Sequence, residues 1–209
     1  GANISNKMNI AGENLNGVYG ANELLEKNIN LDYKNKTVII PGGGNVSIDI
    51  ARTIKRLGAK EVIIIYRKEE ESMPAEPEEI KDTKKDNIEF LFLHNILRIT
   101  GKNKVEKIEV IKTEIINKEI HNINNSNYYI NCDYVVTAIG SHPEDKILNK
   151  LKLDLSNDQK IAIDPLGHTS NKKIFAGGDV AGVKSTVAWA SRSGRNAAYE
   201  IIKYLNNNT

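Results

Sequence analysis

A glycine-rich segment from Gly42 to Ser47 has the residue types and the spacing of a loop that binds pyrophosphate. In the pattern G-x-G-x-x-S, the first glycine permits a tight turn and the second lets a phosphate group approach the backbone. A small third residue lets the following helix pack on the preceding strand, and the first N–H groups of that helix face the anion. The residues predicted to cradle the pyrophosphate are Gly42, Gly43, Gly44, Asn45, Val46 and Ser47.

The segments on either side of this loop decide how specific the pattern is. A short β-branched strand is predicted from Lys36 to Ile40, and apolar residues at helical spacing predict a helix from Val46 to Leu57, with Gly58 at its end. The continuous apolar run Val62 to Tyr66 predicts a second, buried strand. A strand, a glycine loop, a helix and a strand in this order form a βαβ unit, which favours dinucleotide binding over a purely structural glycine turn.

The residues after the second predicted strand indicate which dinucleotide the loop would hold. NAD sites place a carboxylate there to accept from the ribose 2′-hydroxyl, whereas NADP sites place cations for the 2′-phosphate. Here Arg67 and Lys68 follow the strand, and a guanidinium can grip a phosphate in a bidentate manner. This predicts NADP(H). The run Glu69 to Glu71 keeps two alternatives open, a carboxylate that reaches the ribose and a set of solvated loop charges.

The pattern of the rest of the chain predicts an α/β protein with a central parallel sheet and an antiparallel β-meander, followed by a C-terminal remnant of a second domain. Alternating apolar and polar residues from Val105 to Ile130 indicate the meander. The other predicted elements are helices over Ala21–Lys27, Pro77–Lys85 and Thr186–Leu205, and strands over Ile88–Leu93, Tyr134–Ile139 and Lys173–Ala176. Three regions are expected: a linking segment over residues 1–33, a nucleotide-binding domain over 34–145 and a C-terminal domain part over 146–209.

Composition and charge exclude several other classes of protein. The chain has 29 Lys plus Arg against 27 Asp plus Glu, without the basic excess expected of a nucleic-acid-binding or membrane-surface protein. With Cys132 as its one cysteine, the chain cannot form an internal disulfide or a cysteine-ligated iron–sulfur cluster, and this thiol is expected to be a small buried residue. No metal site, membrane span or catalytic acid–base group is predicted, and a cytoplasmic location is expected. The histidines, assigned to surface or loop positions, are His94, His121, His142 and His168.

Several motifs together resemble the glutamate synthase small (β) subunit family. The segment Lys36 to Arg52 resembles the family's NADPH loop, and Val62 to Glu79 resembles the strand, cation pair and acidic helix that follow it. Ile10 to Tyr19 resembles the segment that leads into the nucleotide domain. The remaining matching motifs are Thr137-Ala138-Ile139-Gly140, Ile174-Phe175-Ala176-Gly177-Gly178-Asp179, Ser185-Thr186-Val187 and Gly194-Arg195-Asn196-Ala197-Ala198.

The resemblance implies a second cofactor, FAD, and roles for residues that spacing alone does not single out. Gly178 and Asp179 would contact the flavin ribityl or pyrophosphate region, and the helix start at Thr186 and Val187 would point at the flavin ring. Gly140 would lie near the nicotinamide nucleotide. In the intact enzyme, hydride would pass from NADPH to FAD, and electrons would pass onward through iron–sulfur centres to a large partner subunit or domain.

Two departures from the family pattern qualify this implication. The family's first FAD-binding unit and its cysteine-rich segments have no counterpart in this sequence, so the chain is expected to hold FAD poorly and to need that missing segment as a partner. Pro41 stands where relatives carry a small apolar residue, and its missing N–H removes a potential strand hydrogen bond. The alternatives are a regulatory nucleotide-binding module that never meets a flavin and a self-contained dehydrogenase.

Overall fold

The chain divides into two compact units in the computed structural model, which describes residues 1–27, 31–184 and 186–207. One unit comprises Ser5–Gly140, and the other comprises Gly1–Ile4 together with Ser141–Thr209. The segment between Ser5 and the glycine loop therefore lies in the same unit as that loop. The sequence-based limits of the nucleotide-binding domain are residues 34 and 145. Residues 28–30 of the predicted linking segment lie outside the described residues. The assignment of the units to nucleotide and flavin domains stays a prediction.

The helices and strands follow one another along the chain with short connections. Single 3₁₀ turns occupy Glu70–Ser72 and Gly178–Ala181. The elements in chain order are β1 (Ile4–Ser5), β2 (Val18–Gly20), α1 (Ala21–Lys27), β3 (Thr37–Pro41), α2 (Asn45–Arg56), β4 (Glu61–Tyr66), α3 (Pro77–Lys85), β5 (Glu89–Phe92), β6 (His94–Thr100), β7 (Lys107–Ile116), β8 (Glu119–Asn122), β9 (Tyr128–Asn131), β10 (Tyr134–Thr137), β11 (Ser141–His142), α4 (Asp145–Leu151) and α5 (Val187–Asn206).

A five-stranded parallel sheet in the order β2-β10-β3-β4-β5 is the centre of the larger unit. Strand β3 lies in the middle, where Ile39 pairs with Ile63 of β4 on one side and with Val135 of β10 on the other. The chain leaves β3 toward β4 and returns to its other side only with β10. Ligands of open parallel sheets bind at such a switch point, beyond the carboxyl ends of the strands. The predicted α/β class with a parallel sheet is confirmed.

Alternate residues of the central strands bury opposite faces of this sheet. Val38 and Ile40 point toward the layer of α2 and α3, where Ile48 and Ile54 are fully buried. Ile39 points to the other face, into a cluster with residues of the antiparallel sheet. Because both faces are covered, the strands read as continuous apolar runs, which is why the sequence predicted them well.

An antiparallel sheet of β6, β7, β8 and β9 supplies that second layer. The predicted meander from Val105 to Ile130 corresponds to β7, β8 and β9, whereas β6 was not predicted. Strand β6 follows β5 after Leu93 alone, which turns the chain with a φ of +54°. Sequence patterns rarely signal a non-glycine residue in this left-handed conformation, since only a few per cent of such residues adopt it.

A buried carboxylate on β7 makes the stability of this layer depend on pH. Glu109 is 5% exposed and accepts hydrogen bonds from Asn127 and Arg98. The Asn127 hydrogen bond and then the Arg98 ion pair hold the pKa of the Glu109 carboxyl below its ordinary value. Its stabilising contribution is therefore present above the unfolded-state pKa and is lost as the pH falls through the lowered folded-state pKa. We expect the urea midpoint of wild type to exceed that of Glu109→Gln at about pH 7, with the difference shrinking toward about pH 3.5. A difference that does not change with pH would contradict this coupling.

The smaller unit has a modest core and a long, exposed C-terminal helix. Its buried apolar side chains are those of Leu148, Leu153, Ile161 and, on α5, Ala197. The strand predicted over Lys173–Ala176 is wrong, because this segment forms only a single bridge from Phe175 to His168. The chain turns there instead, as the Thr169 hydroxyl donates to the Ile174 carbonyl at 2.8 Å.

Candidate functional site

A cleft of about 580 Å³ lies at the carboxyl end of the parallel sheet, within the larger unit. Its floor is the glycine loop between β3 and α2, which the βαβ connection places at the centre of the sheet edge. Of the predicted site residues, the cleft brings together Gly42, Gly43, Gly44, Arg67 and Gly140. The lining also includes Tyr66, Pro74 and residues 94–96 and 138–140.

Gly42 is required by the fold itself. Its φ is +146°, a region that L side chains rarely adopt, and an added Cβ would lie 2.3 Å from the Ala138 carbonyl oxygen. Its N–H donates to the Ile65 carbonyl at 3.0 Å, while the Pro41 carbonyl accepts from the Ala138 N–H at 2.9 Å. The loop entry is therefore fastened to both neighbouring strands, although Pro41 has no N–H to donate.

The next two glycines differ in what lies beside them. A Cβ on Gly43 would lie 2.5 Å from the ring of Tyr66, whose hydroxyl donates to the Ser72 carbonyl at 2.7 Å. A Cβ on Gly44 would meet only the Pro74 Cγ, at 4.0 Å. Gly43 is thus a packing glycine, whereas no packing contact demands a glycine at position 44. Gly44 is the residue whose missing side chain leaves room for a ligand.

At the start of α2 the Ser47 N–H donates to the Gly44 carbonyl at 3.0 Å, whereas the N–H groups of Asn45 and Val46 have no side-chain cap. Gly44 is the N-cap, so it has no side chain to cap the first turn, and that turn contains no acidic residue. The partial positive charge of the helix start is therefore available to an anion. Ser47 is fully buried and its hydroxyl donates to the Gly44 carbonyl at 2.6 Å, so it serves helix packing. Neither Ser47 nor the 42%-exposed Val46 lines the cleft.

A segment that the sequence marked only by its prolines and by family resemblance braces the glycine loop. The Ala75 N–H donates to the Gly43 carbonyl at 3.2 Å, and the Glu76 N–H donates to Asn45 Oδ1 at 3.2 Å. Asn45 thus holds this segment and does not line the cleft. The sequence signal for this contact is an Asn at the helix start together with a Pro-rich segment about 30 residues later.

Of the two cationic residues that follow β4, one lines the cleft and the other does not. Arg67 lines the cleft and its side chain forms no ion pair among the described residues, whereas Lys68 does not line it. The backbone of both residues is fixed, since the Arg67 carbonyl accepts from the Thr113 hydroxyl and the Lys68 carbonyl from the Leu93 N–H. Of the neighbouring glutamates, Glu70 pairs with Lys84 at 2.6 Å, and none of the three lines the cleft.

The other rim of the cleft follows β10. Gly140 has a φ of +106°, and its carbonyl accepts from the Asn6 N–H at 2.9 Å. The left-handed region favours glycine, so this residue ends the wall formed by Ala138 and Ile139 with a turn. The predicted residue therefore lies at the cleft, opposite the β4 side in strand order.

The residues that the family resemblance assigned to the flavin lie in the smaller unit. Gly178 has a φ of +68° and donates its N–H to the Ser193 hydroxyl at 2.8 Å, and Asp179 is exposed beside it. Thr186 caps α5 by accepting from the Trp189 N–H, and Val187 is 89% exposed. Ser185 lies outside the described residues. A small residue, a carboxylate and a helix start are groups that can contact a flavin. Here they lie at the exposed surface of the smaller unit.

Two further residue types were assigned from the sequence with different outcomes. Cys132 is 6% exposed, and burial raises the pKa of its thiol to about 12, as expected of a buried, unreactive residue. The surface assignment of His94 is wrong, because this side chain is 9% exposed and lines the cleft. The turn at Leu93 directs it inward. In the described parts of the chain, no three His, Cys, Asp or Glu side chains are grouped to hold a metal, and no helix has the length and apolarity to cross a membrane.

The comparisons with known proteins agree with this geometry. The family model for pyridine nucleotide-disulphide oxidoreductases matches residues 1–195. The chain belongs to this family. This match, together with the relatives described below, confirms the predicted membership of the FAD/NAD(P)-dependent oxidoreductase family.

Individual known proteins share sequence or fold with the chain. The glutamate synthase [NADPH] small chain of Escherichia coli is 33% identical over 186 residues, which are 81% of this chain and 39% of that protein. The beta subunit of NADP(+)-dependent formate dehydrogenase from Moorella thermoacetica is 29% identical over 100% of this chain and 31% of its own. The chain thus spans about a third of the length of these relatives. FprA from Mycobacterium tuberculosis in complex with NADPH shares the fold, with a TM-score of 0.82 at 17% identity, over 99% of this chain and 63% of FprA.

Proposed function

We propose that this chain is the NADP(H)-binding portion of a flavin-dependent oxidoreductase, in which hydride passes from NADPH to FAD. The single observation that carries this proposal is the open space at Gly44, on the floor of a cleft that also contains Arg67, an arginine with no ion pair among the residues that the structure describes. A bound nicotinamide would supply the hydride, and FAD would accept it. The protein side chains would bind and orient the cofactors, which needs no acid–base residue.

The anion-binding part of the proposal rests on the helix start. The pyrophosphate of the dinucleotide would occupy the space beside Gly44, where the backbone N–H groups at the start of α2 can donate to it. Because Ser47 is buried under the loop, it would keep α2 close to the sheet, and Asn45 would hold the loop through its contact with Glu76. These two residues support the cradle from outside.

The preference for NADP(H) rests on Arg67. Its guanidinium is the cation that lines the cleft after β4, and Glu70 is already engaged by Lys84. A 2′-phosphate at this edge would therefore meet a positive group without a competing carboxylate on the lining. Lys68, which is outside the lining, would contribute only as a nearby charge. The names of two relatives, an NADPH enzyme and an NADP(+)-dependent one, support the same preference.

The flavin part of the proposal rests on the smaller unit and requires a partner. Gly178, Asp179, Thr186 and Val187 would contact FAD once a flavin-binding segment covers them. Helix α5 carries exposed apolar side chains near both of its ends, part of which such a segment would bury, with exposed fractions of 39% to 89%: Val187, Trp189, Tyr199, Ile201, Ile202 and Leu205. The electron acceptor beyond the flavin would be a further domain or large subunit.

The test of the nucleotide site is a titration of the chain with NADPH and with NADH, followed by nicotinamide fluorescence. We expect NADPH to bind at least about tenfold more tightly, and Arg67→Ala to remove about that factor from NADPH while leaving NADH unchanged, because one charge-assisted phosphate contact contributes about 1.5 to 3 kcal/mol.

Arg56→Ala is the matched control for this titration. It removes the same charge from the exposed carboxyl end of α2, about 18 Å along the helix from the glycine loop. Equal losses for both arginine variants would mean that general charge, and not a phosphate contact, sets the affinity. Equal affinities of wild type for the two nucleotides would overturn the assignment to NADP(H).

A further inference from the structure

The Met8–Ile10 segment forms one wall of the nucleotide cleft. Met8 and Ile10 both line the cleft, and both are half-buried. They pack against the apolar cluster between the two sheets, which contains Ile96 and Ile99. Because part of each side chain stays accessible, these two residues offer apolar surface to a ligand.

The carboxylate of Glu13 fixes the backbone of this segment. It accepts the N–H of Met8 with one oxygen and the N–H of Asn9, at 2.9 Å, with the other. Asn9 has a φ of +57°, so the chain bends in the left-handed conformation between the two wall residues. Residues 8–10 belong to no helix or strand. Hydrogen bonds to a charged acceptor are about twice as strong as neutral ones, and here they hold the bend.

Both ends of the segment are fastened to elements of the cleft. On one side the Asn6 N–H donates to the Gly140 carbonyl at 2.9 Å, just after β10. On the other side the Ile99 N–H of β6 donates to the Ala11 carbonyl at 2.9 Å. Gly12 follows with a φ of +85°, and an added Cβ would lie 1.9 Å from the Ile99 carbonyl oxygen, so this turn fits closely on β6. The wall therefore begins beside Gly140, at the β10 side of the cleft.

The order of the strands indicates which half of a dinucleotide this wall meets. In the proposed site, Arg67 after β4 would contact the 2′-phosphate of the adenosine half, and the pyrophosphate would lie beside Gly44 after β3. Strand β10 lies on the other side of β3, so a dinucleotide that crosses the sheet edge carries its nicotinamide toward Gly140. The surface there is apolar, since Ile139 is 41% exposed and lines the cleft together with the Met8–Ile10 segment.

We infer that Glu13 is a positioning residue for the nicotinamide half of the bound dinucleotide. Its carboxylate keeps the Met8–Ile10 segment in the conformation in which this wall contacts the nicotinamide ring. Pockets that are mostly apolar suit flat ring systems of this kind. The inference rests on the proposed nucleotide site and extends it to a carboxylate outside the lining of the cleft.

The test compares NADPH with 2′,5′-ADP, which keeps the 2′-phosphate and one phosphate of the pyrophosphate but has no nicotinamide. Glu13→Gln replaces one acceptor oxygen by an amide NH2 group that faces an N–H donor, so one of the two hydrogen bonds is lost. We expect this variant to bind NADPH about fivefold more weakly, which is about 1 kcal/mol, and to bind 2′,5′-ADP within about twofold of wild type. Calorimetry measures both affinities. The fluorescence of bound NADPH reports the surroundings of the nicotinamide ring and should also change.

Glu26→Gln is the matched control, because it removes the same charge from the exposed surface of α1, outside the lining of the cleft. We expect it to bind both ligands as wild type does. Met8→Ala removes part of the wall directly, leaves Glu13 in place and should reproduce the selective loss of NADPH affinity. Thermal unfolding of all variants shows whether they remain folded.

The two ligands separate failure of this inference from failure of the proposed function. If Glu13→Gln weakens both ligands equally, or if NADPH affinity is unchanged in Glu13→Gln or in Met8→Ala, the inference about Glu13 is wrong while the proposed nucleotide site stands. If wild type binds neither NADPH nor 2′,5′-ADP, the proposed function itself fails.

Discussion

Gly44→Ala is expected to weaken NADPH binding about 30-fold, or by about 2 kcal/mol, while leaving the chain folded. The methyl group would occupy the space into which a pyrophosphate must move to reach the N–H groups of α2. The fold has room for it, because the nearest atom is the Pro74 Cγ at 4.0 Å and the φ of −93° suits alanine. Loss of a glycine N-cap costs less than about 1 kcal/mol. Fluorescence titration with NADPH, together with urea unfolding, measures both quantities.

Gly194→Ala is the matched control for this substitution. Gly194 also has open space beside it, because apart from the neighbouring backbone of its own helix no described atom lies within 4 Å of an added Cβ, but it lies in the middle of α5. We expect unchanged NADPH affinity and a stability equal to or above that of wild type, because alanine favours a helix by about 1 kcal/mol over glycine. If Gly44→Ala binds NADPH as wild type does, the space beside Gly44 is not where the dinucleotide lies.

The glycine loop and the parallel sheet could be predicted from the sequence because each has a local signature. A strand buried on both faces produces a continuous apolar run, as in Val62 to Tyr66, and the following helix has a clear apolar period. The predicted helix over Pro77–Lys85 matches α3 residue for residue, since a proline begins it and Asp86 and Asn87 end it. These signals depend on neighbours in sequence.

The parts that could not be predicted depend on contacts between distant segments. Strand β6 exists because it pairs with β7 and covers the sheet, after an unusual turn at Leu93. The burial of His94 follows from that turn. The brace at Ala75 depends on Gly43, more than 30 residues earlier. No local period encodes such contacts. Residue spacing predicted Gly42, Gly43, Gly44 and Arg67 at the cleft, and the family resemblance added Gly140.

The first residue of the glycine loop provides the second large effect, on stability. Gly42→Ala is expected to destabilise the chain by about 3 kcal/mol, because its φ of +146° is strained for any side chain and the new Cβ would lie 2.3 Å from the Ala138 carbonyl oxygen. That oxygen belongs to the backbone just after β10, whose N–H at Ala138 is bonded to the Pro41 carbonyl. Relief of the clash would therefore require two neighbouring strands to separate.

Urea unfolding followed by circular dichroism measures this loss, and the comparison with Gly44→Ala gives it meaning. Since a domain is stable by about 5 to 15 kcal/mol, a loss of about 3 is readily measured. The two substitutions add the same methyl group two residues apart, yet one should act on folding and the other on ligand affinity. If both variants lost stability equally, the loop would be a packed structural turn throughout. If only Gly42→Ala loses stability, Gly42 is needed for the turn. Folding then does not require a glycine at position 44, and the remaining reason for it is the ligand proposed to lie beside it.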